Sequence, residues 1–147
     1  MSKQIISNMD DLQKAIMPDI NRMVDMLADR VYQTLNFFLK RYYDSYSPVY
    51  YRRTYDYLHS AIKVGSRIKG NRAEAYVYID YASMNNYKKV SGLQVATWGN
   101  EGLHGGMALG EDTPHVWDDT IAETVKNGEL LKAAVQYLRN KGIDVKQ

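Results

Sequence analysis

The chain has 147 residues, of which 45% are hydrophobic and 24% are charged, and its formal net charge is +2. This length and composition predict one globular domain over residues 1–147. The absence of cysteine excludes disulfides, thiolate metal sites and cysteine nucleophiles. Residues 1–11 contain no apolar leader, and no apolar run approaches the roughly 18 residues that span a bilayer. We therefore expect a protein that stays inside the cell and binds no membrane.

The N-terminal third carries the clearest helical pattern. Apolar side chains recur there every three or four residues, at Leu12, Ile16, Ile20, Met23, Leu27, Val31, Leu35, Phe38 and Tyr42. This spacing predicts a long helix over about residues 8–43. Ser7 and Asp10 resemble a capping box at its start, and Pro18 predicts a kink or a restart within it.

A loop and a hairpin are predicted next. Residues 44–60 show no regular period and are rich in aromatic and basic side chains, so we expect a loop. Residues 61–81 predict a β-hairpin whose second strand has one aliphatic face and one aromatic and polar face. Residues 93–98 are a candidate third strand because a short alternation occurs there.

The C-terminal part combines a glycine-rich stretch with helical patterns. Five glycines lie in residues 99–110, which predicts a long mobile loop over about 99–112. Thr113 and Pro114 resemble a helix cap and first-turn proline, so helices are predicted over 114–141, interrupted at 127–128 and ended by Gly142. The order of elements predicts an α+β fold, in which a long N-terminal helix packs on a small antiparallel β-sheet with C-terminal helices.

No residue pattern points to catalysis. His59, His104 and His115 lack the spacing of known metal sites, and the glycine run 102–106 lacks the lysine of a nucleotide-binding loop. Neighbouring carboxylates Asp118 and Asp119 would point to different sides of a helix, which does not favour acid-base chemistry. We expect no catalytic residue, no cofactor and no metal site. A metal-dependent hydrolase built on His104 and His115 is a weaker alternative.

The charges and the tyrosines are unevenly distributed. Residues 40–72 hold eight basic and two acidic side chains, a net charge of +6, whereas residues 101–129 hold seven acidic side chains and one basic, a net charge of −6. Seven of the thirteen tyrosines lie in residues 42–57. Tyrosine and arginine are enriched at protein interfaces. The candidate interface residues are Tyr42, Tyr43, Tyr46, Tyr50, Tyr51, Arg52, Arg53, Asp118 and Asp119.

A second interpretation of this surface stays open at this point. Basic residues interleaved with tyrosines also occur where proteins bind nucleic acid through phosphate contacts and base stacking. The near-neutral net charge does not favour specific nucleic-acid binding. The alternative is a small cytoplasmic nucleic-acid-binding protein that uses the tyrosine and arginine surface.

A set of spaced residues resembles a known family. The marks are a proline, a threonine, a leucine and a serine ahead of a hairpin that ends in tyrosine and alanine, here Pro48, Thr54, Leu58, Ser60 with Ile62, and Tyr81 with Ala82. Together with the long N-terminal helix, they resemble the tail-completion or head-to-tail joining proteins of long-tailed bacteriophages. The resemblance implies a virion neck or tail-end protein without catalytic residues. It also implies a ring, commonly of six copies, that contacts tail-tube and head-connector proteins and is assembled in the host cytoplasm.

Overall fold

The computed structural model describes residues 5–47, 55–84 and 90–146. Its elements are α1 (Met9–Asp44), β1 (Ala61–Lys69), β2 (Arg72–Ile79), a 3-10 turn (Tyr81–Met84), α2 (Gly92–Glu101), β3 (Leu103–His104), β4 (Met107–Ala108), α3 (Val116–Ile121), a π-helical segment (Ala122–Lys126) and α4 (Glu129–Asn140). The predicted α+β fold is confirmed. A long N-terminal helix packs on an antiparallel hairpin, and helices follow at the C-terminal end.

Helix α1 begins one residue later than the predicted capping box requires. The Asn8 side chain accepts the Asp11 backbone N–H at 2.9 Å, and the Ser7 hydroxyl donates to the Asp11 carboxylate at 2.7 Å. Asn8 is therefore the N-cap, and the acidic partner of Ser7 is Asp11 rather than Asp10. The Asn8 bond satisfies an amide group, that of Asp11, which has no acceptor within the helix.

Pro18 does not restart α1, which continues through it as one helix of 36 residues. Proline removes the hydrogen bond to the carbonyl four residues earlier, here that of Lys14. Pro18 and Lys14 are both exposed, so the gap lies on the solvent side of the helix. The predicted restart is therefore wrong, because α1 tolerates one missing hydrogen bond on its exposed side.

The hairpin packs along α1 with a β-bulge in its first strand. Two residues between Val64 and Arg67 face one residue of β2, because the register shifts there. The backbone N–H of Ser66, in the bulge, donates to the Asp25 carboxylate at 3.0 Å, and the Ser66 hydroxyl donates to the Asn21 side chain. The bulge therefore serves as an attachment point between sheet and helix.

The contacts with α1 fix the direction of the hairpin. Lys63 forms ion pairs with Asp25 and Asp29, at 3.3 and 3.6 Å. The carbonyl at the hairpin turn, that of Gly70, accepts from Gln13 near the start of α1. β1 therefore runs toward the N-terminal end of α1, and the base of the hairpin lies beside its C-terminal half.

Residues 93–98 form part of helix α2, so the predicted third strand is wrong. The Ser91 side chain caps this helix by accepting the Gln94 N–H at 3.1 Å, and Gly102 ends it in the left-handed conformation. The cap and the terminal glycine define a helix, whereas the alternation of 93–98 was too short to define a strand. The predicted loop 99–112 is also wrong in part, because it contains the end of α2 and the short β3–β4 hairpin.

The C-terminal helices begin later than predicted. Thr113 and Pro114 are buried ahead of α3 and do not cap it. Instead the Asn100 side chain, at the end of α2, accepts the backbone N–H groups of Trp117 and Asp118 at 2.9 and 2.8 Å. The interruption at residues 127–128 and the termination near residue 142 are confirmed by the structure.

The hydrophobic core lies at the C-terminal end of α1. Its most buried side chains come from α1, the residues before β1, the 3-10 turn and α3, and they include Leu35, Leu39, Tyr42, Tyr57, Met84 and Val116. Several elements pack onto the C-terminal end of α1, whereas the main neighbour of its N-terminal end is the hairpin. The molecule therefore has two dissimilar ends.

Candidate functional site

The tyrosines that the sequence marked as an interface form a cluster of ring contacts. We call Tyr42, Tyr43, Tyr46, Tyr55 and Tyr57 the aromatic cluster. Edge-to-face contacts join Tyr42 to Tyr43, Tyr46 and Tyr57 at centroid distances of 5.5–5.9 Å, and Tyr43 stacks on Tyr55 at 5.7 Å. Such geometries are the favoured ones for aromatic pairs. The cluster stabilises the core end of α1.

Tyr42 and Tyr43 are core residues, which corrects their placement on a contact surface. Their exposed fractions are 2% and 8%, because they lie on the face of α1 that also carries Leu35 and Leu39. The Tyr42 hydroxyl donates to the Leu103 carbonyl. A partner cannot touch these rings without opening the core. The interface prediction failed because it treated these tyrosines as too polar for the core. The C-terminal end of α1 buries both of their rings.

The other predicted interface residues have different positions. Tyr46 is half-buried and stacks on His104 at 4.6 Å. Asp118 is exposed, whereas Asp119 is half-buried and accepts the His115 backbone N–H at 2.9 Å. The predicted positions Tyr50, Tyr51, Arg52 and Arg53 lie outside the described residues.

Tyr57 contains an unusual buried polar group. Its side chain is 2% exposed, and within the described chain its hydroxyl has no hydrogen-bond partner. Burial raises the pKa of Tyr57 far above its ordinary range, and the neighbouring Tyr42 and Tyr43 contribute further. The hydroxyl stays neutral at any physiological pH and is enclosed by aromatic rings, so it is not a nucleophile or an acid available to a substrate.

The far end of the hairpin is basic. Arg67 and Arg72 are exposed there, and with Lys69 we call them the basic tip. Glu74 pairs with Arg72 at 2.6 Å and with Lys69 at 3.2 Å, so one carboxylate faces two cations. A hydrogen bond from the Tyr76 hydroxyl, followed by the one from Lys69, holds the pKa of Glu74 below its usual range. The tip therefore retains a net positive charge at neutral pH.

The acidic residues lie beside the opposite half of α1. Glu123 and Glu129 are exposed, and together with the half-buried Asp119 we call them the acidic face. Glu123 and Glu129 line a groove of about 770 Å³ between α1 and the C-terminal helices. Its other wall includes Arg30 and Arg41, with Arg41 over the ring of Phe37 at 5.9 Å.

The basic tip and the acidic face are too far apart to neutralise each other within one chain. The hairpin turn of the basic tip lies near Gln13. The groove beside the acidic face is lined by Thr34. At about 1.5 Å per residue, the 21 positions from Gln13 to Thr34 correspond to about 30 Å along α1, and the 13 positions from Asn21, which bonds Ser66 next to Arg67, correspond to about 20 Å. This separation exceeds the Debye length of about 8 Å at physiological ionic strength. The tip and the face therefore do not pair with each other within one chain. The cations that lie nearer the acidic face are Arg30 and Arg41, on the opposite wall of the groove.

A second groove lies between the hairpin base and α2. We call it the aromatic groove, and its volume is about 560 Å³. Tyr78, Tyr81, Leu93 and Trp117 line it, and the first three are 45%, 50% and 56% exposed. The alternation of β2 places Tyr78 on the outward face and could have identified part of this groove. Leu93 was missed because it was assigned to a strand.

Within the described ranges, no group of three or more histidine, aspartate or glutamate side chains is arranged to hold a metal ion. His104 contacts Tyr46, and the His115 Nδ1 atom lies 2.9 Å from the Asn100 carbonyl. These contacts give both histidines structural neighbours. Among the helices in the same ranges, none combines the length and the hydropathy needed to cross a membrane.

Comparison with known proteins identifies a family. No curated protein and no solved structure is significantly similar to the chain. A family model described as YomN matches residues 8–140. YomN is a phage-associated family. Because the match covers most of the chain, the chain belongs to the YomN family.

Proposed function

We propose that this chain is a bacteriophage structural protein of the neck or tail end, which completes the tail or joins it to the head. In this role it forms a ring from copies of itself. The carrying observation is the separation of the basic tip from the acidic face, beside opposite halves of α1. Membership of a phage-associated family and the resemblance of residues 48–82 to tail-completion proteins support the same role.

The charge arrangement suits a ring because it favours a heterologous contact. In such a contact, one patch of a chain meets a different patch of the next chain, and rotation closes the series. The basic tip of one copy would face the acidic face of its neighbour. Complementary charges increase the association rate and disfavour wrong registers, in which like charges meet.

The remaining features of the role follow from the same proposal. The ring contacts the tail-tube and head-connector proteins, assembles in the host cytoplasm and becomes part of the virion. It needs no catalytic residue and no cofactor. The Tyr57 hydroxyl is enclosed by the core, and His104 and His115 contact neighbouring structure, so these groups do not suggest chemistry on a substrate.

The alternative role, nucleic-acid binding by a tyrosine and arginine surface, receives less support. Base stacking requires open aromatic faces. Tyr42 and Tyr43 are buried and engage other rings. A gel-shift measurement at low salt with single-stranded and double-stranded DNA distinguishes the roles, because the alternative predicts a salt-sensitive shift and the ring proposal predicts none.

Charge exchange tests the proposed contact. Reversing the tip with Arg67→Glu and Arg72→Glu should abolish most assembly in native mass spectrometry, because acidic surfaces would then face each other. Reversing the acidic face with Glu123→Lys and Glu129→Lys should have the same effect. A chain that carries all four substitutions should assemble again, since the tip and face are complementary with exchanged signs.

Lys132→Glu with Lys141→Glu is the matched control. It changes the net charge by the same amount as the tip reversal, at exposed positions of α4 and the turn after it. The control should assemble like the wild-type chain. If the four-fold variant stays monomeric while the control assembles, the tip does not bind the acidic face.

A further inference from the structure

The residues just before α1 and at its first position expose apolar side chains. Ile5, Ile6 and Met9 are 84%, 49% and 76% exposed. Exposure of three such side chains at one place is unfavourable in water, and contiguous apolar surface of this kind marks contact sites. We call residues 5–9 the apolar N-terminal segment.

The aromatic groove has complementary properties. Its lining is mainly apolar and aromatic, and its exposed members include Tyr78, Tyr81 and Leu93. Among the described residues that line it, the charged ones are the acidic Asp80 and Glu101. An occupant with aliphatic side chains and a positive charge would satisfy both features.

The apolar N-terminal segment fits these requirements. Before Asp10, the sequence carries a single charged side chain, the cation of Lys3, which precedes Ile5 by two positions. The aliphatic side chains suit the apolar lining of the groove, and the positive charge carried by the sequence before Ile5 suits its acidic residues. The charge complementarity and the apolar character thus point to the same pairing.

The segment cannot reach the groove of its own chain. Ile79, Ala96 and Trp117 line the groove and pack against the core that contains Leu35. From Asn8 to Leu35, α1 rises about 40 Å at about 1.5 Å per residue. Ile5 lies three residues before Asn8, which allows a reach of about 10 Å.

We propose that the apolar N-terminal segment of one copy binds in the aromatic groove of a second copy of this chain. This inference rests on the proposed self-assembly and adds an apolar contact to the charge pairing. The segment and the basic tip lie at one end of α1, and the groove lies at the other. In both contacts, the N-terminal end of α1 in one copy therefore meets the C-terminal end of α1 in the next copy.

The absence of cysteine allows a direct test by disulfide trapping. A chain with Ile6→Cys is mixed with a chain with Leu93→Cys under a mild oxidant, and covalent dimers are measured on a non-reducing gel. A disulfide requires Cα atoms about 5–6 Å apart, so it reports close approach. The control mixture combines Ile6→Cys with Leu131→Cys, whose position on α4 is 63% exposed and does not line the groove.

The proposal predicts a dimer yield several-fold higher for the groove pair than for the control pair. Equal yields, in mixtures that sedimentation shows to be assembled, would overturn the docking proposal and leave the ring proposal standing. Mixtures that remain monomeric without oxidant would overturn both. A higher yield with Leu131→Cys would place the segment on α4 and would also refute docking in the groove.

Discussion

Tyr57 is the residue at which packing and polarity conflict most clearly. Its ring completes the aromatic cluster, with its centroid 5.5 Å from that of Tyr42 and 6.4 Å from that of Tyr43. Its hydroxyl nevertheless lacks a partner among the described residues. A buried donor without an acceptor costs free energy, because water is lost and no bond replaces it.

Removing this hydroxyl should therefore not weaken the fold. We predict that Tyr57→Phe leaves the free energy of unfolding unchanged or raises it by up to about 1 kcal/mol. Urea unfolding followed by circular dichroism gives the comparison. Tyr42→Phe is the matched control, because it deletes the donor to the Leu103 carbonyl and should lower stability. A loss with Tyr57→Phe as large as with the control would show that the hydroxyl has a partner.

Gly92 and Gly99 show why part of the core could not be predicted. The seven-residue spacing places them on one face of α2. A Cβ atom would overlap the Tyr81 backbone at Gly92 and the Tyr57 ring at Gly99. From the sequence, Gly99 is the first residue of the predicted mobile loop. The function of both glycines as sites of close approach depends on neighbours distant in sequence, which local patterns do not reveal.

At the scale of elements, one contact region links the hairpin to α1. Asp25 accepts from the bulge N–H of Ser66 and pairs with Lys63. The Ser66 hydrogen bond, with a smaller contribution from Lys63, holds the pKa of Asp25 below its usual range. A carboxylate whose pKa is lower in the folded chain stabilises the fold when ionised. Its contribution is complete above the unfolded pKa of about 3.9 and is lost as pH falls through the folded pKa.

We predict that Asp25→Asn lowers the free energy of unfolding at pH 7 by about 1 kcal/mol, because the side chain is half-exposed and one charged hydrogen bond is weakened. The difference from wild type should shrink below about pH 4, where the wild-type carboxyl becomes protonated. Urea unfolding across this pH range is the measurement. Asp29→Asn also changes a partner of Lys63 but has no bond to the bulge, so its effect should be smaller. A pH-independent difference for Asp25→Asn would contradict this assignment.

The elements differ in how far the sequence could predict them. The apolar stripe of α1 and the alternation of β2 are long enough to distinguish helix from strand, and both predictions are confirmed. Residues 93–98 are too few for either period to dominate, and the Ser91 cap decides for a helix. The start of α3 depends on Asn100, a residue of another helix, so no local signal could define it.

For the whole molecule, the sequence revealed an uneven distribution of charge but not where the charged surfaces lie along α1. The net charges of residues 40–72 and 101–129 were visible as composition. The placement of the basic tip and the acidic face beside opposite halves of α1 depends on the direction of the hairpin and on the packing of the C-terminal helices. The core positions of Tyr42 and Tyr43 shift the proposed contact from those tyrosines to the basic tip and the acidic face.

Sedimentation velocity of the wild-type chain over a range of concentrations tests the central proposal, self-assembly into a closed ring, most directly. We predict one discrete oligomer in equilibrium with monomer, because a closed ring has a fixed number of copies. At about 1 M salt, where the Debye length falls to about 3 Å, the oligomer fraction should decrease. A chain that remains monomeric at every concentration, or one that forms a continuous series of growing sizes, would contradict the account.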